Sequence, residues 1–388
     1  MTRPVRLIVV GLGARARIWL SVIDAREDVI LAGLVDPSED ARKNAAQRYP
    51  NLPVSNDLAA LVATVKADAV LLVTPPGGRE TQIEAAIASG LHIIAEKPLA
   101  DSVVLAERYV AAAEAAGLHL IVGLNFRYLP VTIALRDLLA SGRIGKAAFA
   151  RFTYERWRDG TLPRLNKYPL TMDQPMLWEQ SIHHFDLMRF VYAQEPVRIY
   201  ARTFNPEWSM YRGDANVSAL IEFDQGMIVN YQGTWQGGVD RLDFEWRTDC
   251  SDGVALQREM FGDLVAATRT EPEYSTVPLA PLEPWITDAT ALLAMIANAL
   301  HGTVRPPNAP VATTSCPSGC WMPASGRPRR VNPSPWGTRG RDHAERNPTG
   351  RYRSRSVRAP AARVLSAKNR GISCAVLNFS LPAPRCLR

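Results

Sequence analysis

Arg6-Leu7-Ile8-Val9-Val10-Gly11-Leu12-Gly13-Ala14-Arg15-Ala16 is the stretch that decides the fold. A short apolar run ends on a Gly-x-Gly-x-x-Ala turn that opens a helix, the setting in which this glycine spacing holds a dinucleotide. Gly11 allows a tight turn, Gly13 lets the backbone approach a pyrophosphate, and Ala16 suits a close helix–strand contact. Ala14 and Arg15 open the helix, where unpaired N–H groups and the positive dipole end attract phosphate. A second strand, Val29 to Val35, ends on Asp36, 23 residues beyond Gly13. A carboxylate there accepts ribose hydroxyls and repels a 2′-phosphate, so NAD is favoured and NADP is the alternative.

The alternation continues downstream. Asp68 to Thr74 reads as a buried strand, Thr81 to Ser89 as a helix, and His92 to Ala95 as a strand leading into Glu96-Lys97-Pro98. Val103 to Ala116 is an alanine-rich helix and His119 to Leu124 a last strand. Apolar strands alternating with helices predict a parallel sheet covered on both faces, a Rossmann domain over residues 1–125. Ligands of such sheets bind at the carboxyl ends of the strands, where Gly11, Asp36, Thr74, Pro75, Glu96 and Lys97 fall.

From about Lys146 the pattern changes to strands in series: 147–156, 197–204, 216–223, 227–232 and 242–247. That predicts an α+β domain over residues 126–305 with an open, mostly antiparallel sheet. Met176 to Tyr192 reads as a helix on which Glu179 and His183, four apart, share a face. A paired carboxylate raises imidazole basicity and fixes the tautomer, as a general base requires. His184 points about 100° away and is the more structural of the two histidines. His183 and Asp186 have a spacing that suits two metal ligands, but no third suggests itself and no metal is expected. The preceding loop carries Arg156, Trp157, Arg164, Lys167 and Tyr168. Its aromatic faces suit a polyol and Arg164 or Lys167 an acidic sugar, although a surface loop explains them equally well.

Gly11-Leu-Gly13, Thr74-Pro75-Pro76, Ala95-Glu96-Lys97-Pro98-Leu99 and Asn125-Phe126-Arg127 resemble the glucose–fructose oxidoreductase/inositol dehydrogenase (Gfo/Idh/MocA) family over about residues 5–300. The resemblance implies a Rossmann domain followed by a sheet domain that often forms dimer contacts, hence a homo-oligomer. It also implies oxidation of a sugar or polyol hydroxyl, or reduction of the matching carbonyl, with NAD(H) or NADP(H). His183 matches the family's active-site histidine, and Glu179 stands where the family has an Asp. Arg79 replaces a histidine the family often carries after its Thr-Pro motif, and Ala16 stands at the third fingerprint position.

In the reaction so implied, His183 takes the hydroxyl proton, Lys97 stabilises the oxygen, and Glu179 orients His183 or touches a substrate hydroxyl. Cofactor contacts fall to Gly11, Gly13, Ala14, Arg15, Asp36, Thr74, Pro75, Glu96 and Lys97; substrate contacts fall to Asn125, Arg127, Trp157, Tyr168 and His184. The rival reading is a dinucleotide-binding protein of the same fold without turnover, a sensor or an inactivated enzyme.

Composition is that of an ordinary globular protein, 47% hydrophobic and 21% charged over 388 residues. No apolar run reaches the roughly 18 residues of a membrane span, and the chain opens on a strand with no leader, so a cytoplasmic protein is expected. The formal charge of +7 is unevenly placed. Residues 306–388 hold 15 Lys+Arg against 2 Asp+Glu, leaving residues 1–305 at −6. An acidic body argues against nucleic acid as a partner. Of five cysteines only Cys250 precedes the tail, which fits a reducing compartment.

The tail reads as a non-globular, Arg/Pro-rich and aberrant segment. A disordered basic arm and half a zinc site at Cys316 and Cys320 are two readings. A third comes from the codons of Cys320-Trp321-Met322-Pro323, which two nucleotides on must encode Leu-Asp-Ala. In that frame 313–327 reads as an amphipathic segment, as though translation from about residue 308 were out of frame.

Overall fold

The computed structural model describes residues 3–302 except 164, together with the backbone of 375–378. The first half alternates as its apolar runs require: β1 (Val5–Val10), α1 (Ala14–Asp24), β2 (Val29–Val35), α2 (Glu39–Arg48), β3 (Val54–Ser55) and α3 (Leu58–Val62). It continues with β4 (Ala69–Leu72), α4 (Glu80–Ala88), β5 (His92–Ala95), α5 (Val103–Ala115) and β6 (Leu120–Val122). Side-chain caps start three of these helices: Ser38, Asp57 and Ser102 accept from the backbone N–H three residues on.

All six strands are parallel in the order β3-β2-β1-β4-β5-β6. The order reverses between β1 and β4, which leaves a crevice at their carboxyl ends. Gly11 makes the turn after β1 at φ +89°, and a Cβ there would lie 2.7 Å from the Val73 carbonyl oxygen. Only glycine fits that approach.

A 3₁₀ turn, Asn125–Tyr128, leads into α6 (Pro130–Ala140) and β7 (Ala147–Glu155). After a loop, a π-helical turn Leu177–Ser181 runs into α7 (Ile182–Tyr192). Then come β8 (Pro196–Phe204), β9 (Asn216–Phe223), β10 (Ile228–Thr234), β11 (Asp243–Cys250), β12 (Gly253–Glu259), β13 (Gly262–Thr268), β14 (Ser275–Thr276), α8 (Thr287–Leu300) and β15 (Ala375–Asn378).

The second sheet runs β14-β13-β12-β11-β7-β10-β9-β8-β15 and is antiparallel throughout except for the parallel pair of β7 and β10. Alternate residues such as Phe152, Tyr154, Val229, Tyr231 and Trp246 turn inward against α6 and α7. The chain then crosses back: Ala289, Leu292, Leu293 and Ile296 of α8 pack with Trp19 of α1 and with Val5, Leu7 and Val9 of β1. The expected division after residue 125 is thus bridged by the helix that ends the second segment. The readings made for residues 306–388, including Cys316, Cys320 and the out-of-frame stretch, lie outside the described residues apart from the strand at Ala375–Asn378.

Candidate active site

A cavity of about 480 Å³ opens where the first sheet's crevice meets the second domain. Gly13, Ala14, Arg15, Val73, Thr74, Pro75, Pro76, Glu96 and Lys97 line it from the first sheet. Asn125, Phe126, Arg158, Asn166, Tyr168, Glu179, Gln180, His183, Trp235 and Trp285 line it from the rest.

The first wall fits a dinucleotide. A Cβ built on Gly13 meets nothing within 4 Å, so the glycine turn presents bare backbone to open space. Asp36 accepts from the N–H of Leu12 (2.7 Å) and of Ser38 (2.8 Å), which fixes its carboxylate beside the turn with lone pairs remaining for ribose hydroxyls. Glu96 accepts from Arg15 Nε (2.6 Å) and Trp19 Nε1 (2.8 Å), tying the start of α1 to the end of β5.

Behind that wall lies Arg79, which is 1% exposed. Its guanidinium donates to the carbonyls of Glu96 and Pro98 (2.6 Å each), Leu99 (3.1 Å) and Thr74. Burial pushes it down to about 10, so it stays a cation at neutral pH. One side chain therefore grips two of the loops that carry expected cofactor contacts, those after β4 and β5, across the cis bond between Lys97 and Pro98. The sequence marked Arg79 as a departure without assigning it this work.

Lys97 Nζ reaches over to Glu179, donating to its carboxylate Oε2 and to its backbone carbonyl, both at 3.0 Å. The expected pairing of Glu179 with His183 is not what forms. Glu179 sits in a π-helical turn, whose i→i+5 winding moves it off the face that a regular α-helix would share with residue 183. His183 instead stacks on Phe126 (centroids 4.1 Å apart, planes at 24°), and its Nδ1 is buried without a partner. Raised basicity was expected; the opposite holds. Burial first, then the charge of Lys97, then His184 and Arg15, hold the imidazole well below its ordinary value, so it is neutral at pH 7.

The wall expected to meet the substrate departs further from expectation. His184 is fully buried away from the cavity, its ring nitrogens 3.0 Å from Gln180 Nε2 and 2.9 Å from the Tyr231 hydroxyl. Burial pushes it down to about 3, and it acts as a core connector. Arg127 is withdrawn into an ion pair with Asp186 and lies over the Phe190 ring. Trp157 forms a bridge with Gln236 and does not line the cavity. Lys167 donates to the carbonyls of Gly160 and Leu162 in its own loop, and Arg164 lies outside the described residues.

Asn125 and Tyr168 do line the cavity, and Asn125 also donates to Asp288 of α8. Arg158, Trp235 and Trp285 join them unforeseen. The parity of β7 held a signal: with Phe152 and Tyr154 inward, continued alternation turns residue 158 inward and 157 outward.

Residues 5–124 match the oxidoreductase family with an NAD-binding Rossmann fold, and residues 132–255 match the C-terminal domain of the same Gfo/Idh/MocA group. The chain is 25% identical over 321 residues to 1,5-anhydro-D-fructose reductase of Ensifer adhaerens, covering 82% of this chain and 92% of that one. It is 28% identical over 231 residues to 1-carboxy-3-chloro-3,4-dihydroxycyclo hexa-1,5-diene dehydrogenase of Comamonas testosteroni, covering 58% of this chain and 56% of that one. The chain spans about half the length of two of the curated relatives it matches, 54% and 56%, and 92% of the anhydrofructose reductase. Among solved structures, an oxidoreductase from Agrobacterium radiobacter in complex with NAD+, L-tartaric acid and magnesium shares the fold. Its TM-score is 0.72 at 20% identity, over 80% of this chain and 92% of that one. The chain belongs to the Gfo/Idh/MocA family of NAD-binding oxidoreductases.

Proposed function

We propose that this family member is an NAD-dependent dehydrogenase or reductase acting on a carbinol–carbonyl pair of a sugar, polyol or related polyhydroxy substrate. The observation that carries the reading is the joining of the two walls: Lys97, at the end of a parallel strand beside the glycine turn, is held 3.0 Å from Glu179 in the cavity that His183 also lines. The relatives add support, since one is a reductase of anhydrofructose and one a dehydrogenase of a dihydroxylated ring.

Bound nicotinamide supplies the hydride acceptor in oxidation and the donor in reduction. The neutral imidazole of His183 takes the substrate's hydroxyl proton at Nε2, the nitrogen left free by the burial of Nδ1. Lys97 donates a hydrogen bond to the same oxygen and stabilises its growing negative charge. Glu179 holds the ammonium in place rather than orienting the histidine. Phe126 fixes the ring plane of His183 by stacking.

The outer face of the second sheet supports assembly as a homo-oligomer. Phe149, Tyr200, Phe204 and Ile228 are exposed there, with Ile228 directly beside Phe149, and a second copy is the fitting cover. A reducing compartment such as the cytoplasm suits Cys250, a buried free thiol.

A second reading, dinucleotide binding without turnover, has one observation in its favour: His183 lacks the carboxylate partner that would tune it. Reduction of NAD+ by a panel of polyols, sugars and sugar acids separates the two. Turnover that falls by about 10²–10⁴ in His183→Ala, with NAD affinity kept, is expected of the enzyme. NAD binding with no turnover on any of the panel favours the second reading.

A further inference from the structure

The charges lining the cavity do not cancel. Arg15 is paired with Glu96 and Lys97 with Glu179, while His183 is neutral. Arg158 is left over: among the described residues it forms no ion pair. It is nonetheless fixed in place. Its backbone N–H donates to the Trp235 carbonyl at 2.9 Å, its guanidinium lies 4.3 Å from the Trp235 ring centroid, and its Nη1 is 3.1 Å from the Tyr211 hydroxyl. Tyr211 in turn donates to the Arg158 carbonyl at 2.8 Å.

A cation built this firmly and left without a counter-ion calls for an anion from the ligand. The dinucleotide's phosphates belong to the glycine turn and the N-terminus of α1 on the opposite wall. Arg158 sits instead in the second domain's wall, lining the same cavity as Tyr168, Glu179 and Lys97. One cavity thus holds an unpaired guanidinium and the Lys97 ammonium, which is paired with Glu179 at 3.0 Å.

We propose that Arg158 is a specificity residue that binds a carboxylate of the substrate, making the substrate a polyhydroxy acid whose carboxylate lies a few carbons from the reacting carbinol. The inference rests on the dehydrogenase reading for the reacting end but on Arg158, Trp235 and Tyr211 for the charged end. With Nη1 on Tyr211, one planar edge of the guanidinium remains, which matches a single carboxylate in bidentate contact. A dianionic phosphate would call for a second unpaired cation, and none lines the cavity among the described residues.

The test compares D-gluconate with D-glucitol, which share a carbon skeleton and differ at one terminal carbon. Binding of each to the full-length, NAD-saturated protein is measured by calorimetry, and turnover is measured separately. Gluconate is expected to bind at least about tenfold more tightly than glucitol. Arg158→Met should erase that preference while leaving NAD affinity unchanged, and Arg158→Lys should keep part of it. NAD affinity reports that each variant is folded. Equal binding of the two ligands, binding of neither, or a preference that survives Arg158→Met overturns the proposal. A preference that vanishes in Arg158→Met, with no turnover on the whole panel of polyols, sugars and sugar acids, upholds the carboxylate site and overturns the dehydrogenase reading instead.

Discussion

The two walls of the cavity are built on different principles. The cofactor wall is made of strand ends and one tight turn, and its loops are held from behind by Arg79, which occupies four carbonyls at once. The facing wall, proposed to meet the substrate, comes from a π-helical turn, a long loop and single residues such as Trp235 and Trp285 brought from distant strands and turns. One wall is specified by a contiguous motif, the other by packing between segments far apart in sequence. The difference suits a protein that keeps one cofactor while its relatives act on differing substrates.

Breaking the join between the walls should have the largest effect. Lys97→Met or His183→Ala is expected to lower turnover by about 10²–10⁴ while NAD affinity changes little, as steady-state rates and cofactor titration would show. An unchanged rate in either variant removes that residue from the chemistry.

Next in size is the support behind the cofactor wall. Arg79→Met leaves several buried carbonyls without a donor, and urea unfolding should show a loss of at least about 3 kcal/mol. NAD affinity should fall with it, because both gripped loops line the crevice. A stable variant that binds NAD normally would mean the grip is dispensable.

Two buried neutral histidines make the third prediction, one on pH. His183 and His184 both have native values depressed by burial, so the unfolded chain binds more protons than the native one below about pH 6.5. Their contribution is intact above that pH and is lost as pH falls, at up to about 2.7 kcal/mol per unit for the pair. Unfolding free energies at pH 7 and pH 5 would show it, and His184→Gln should halve the slope. The same depression places the acid limb of kcat/KM for oxidation below pH 6.5; a limb at 7 or above would mean the imidazole is not the base described.

The smallest effect is expected at Trp157. It faces away from the cavity, so Trp157→Phe should leave KM within about twofold. A large rise in KM would restore it to the substrate wall.

These contrasts explain what could be read from the chain. Gly11, Gly13, Asp36 and Lys97 were legible because each follows an apolar strand, and the period of the elements fixes where a strand's end must point. Glu179 and His183 are legible as near neighbours, but the α-helical spacing that would pair them gives way to a π turn that the sequence does not announce. Arg127 and His184 looked like ligand contacts because the sequence could not show Asp186 and Tyr231 waiting inside the core to receive them. The return of α8 to the first sheet was invisible for a similar reason. Its apolar face needs a partner, but nothing local says which sheet supplies it.

The most direct measurement takes Lys97→Met and the parent protein through NAD titration and NAD+ reduction in the same preparation. If the two walls are separate devices joined at this ion pair, affinity stays within about threefold while turnover falls by about 10² or more. Turnover that survives, or affinity that collapses together with turnover, would contradict it.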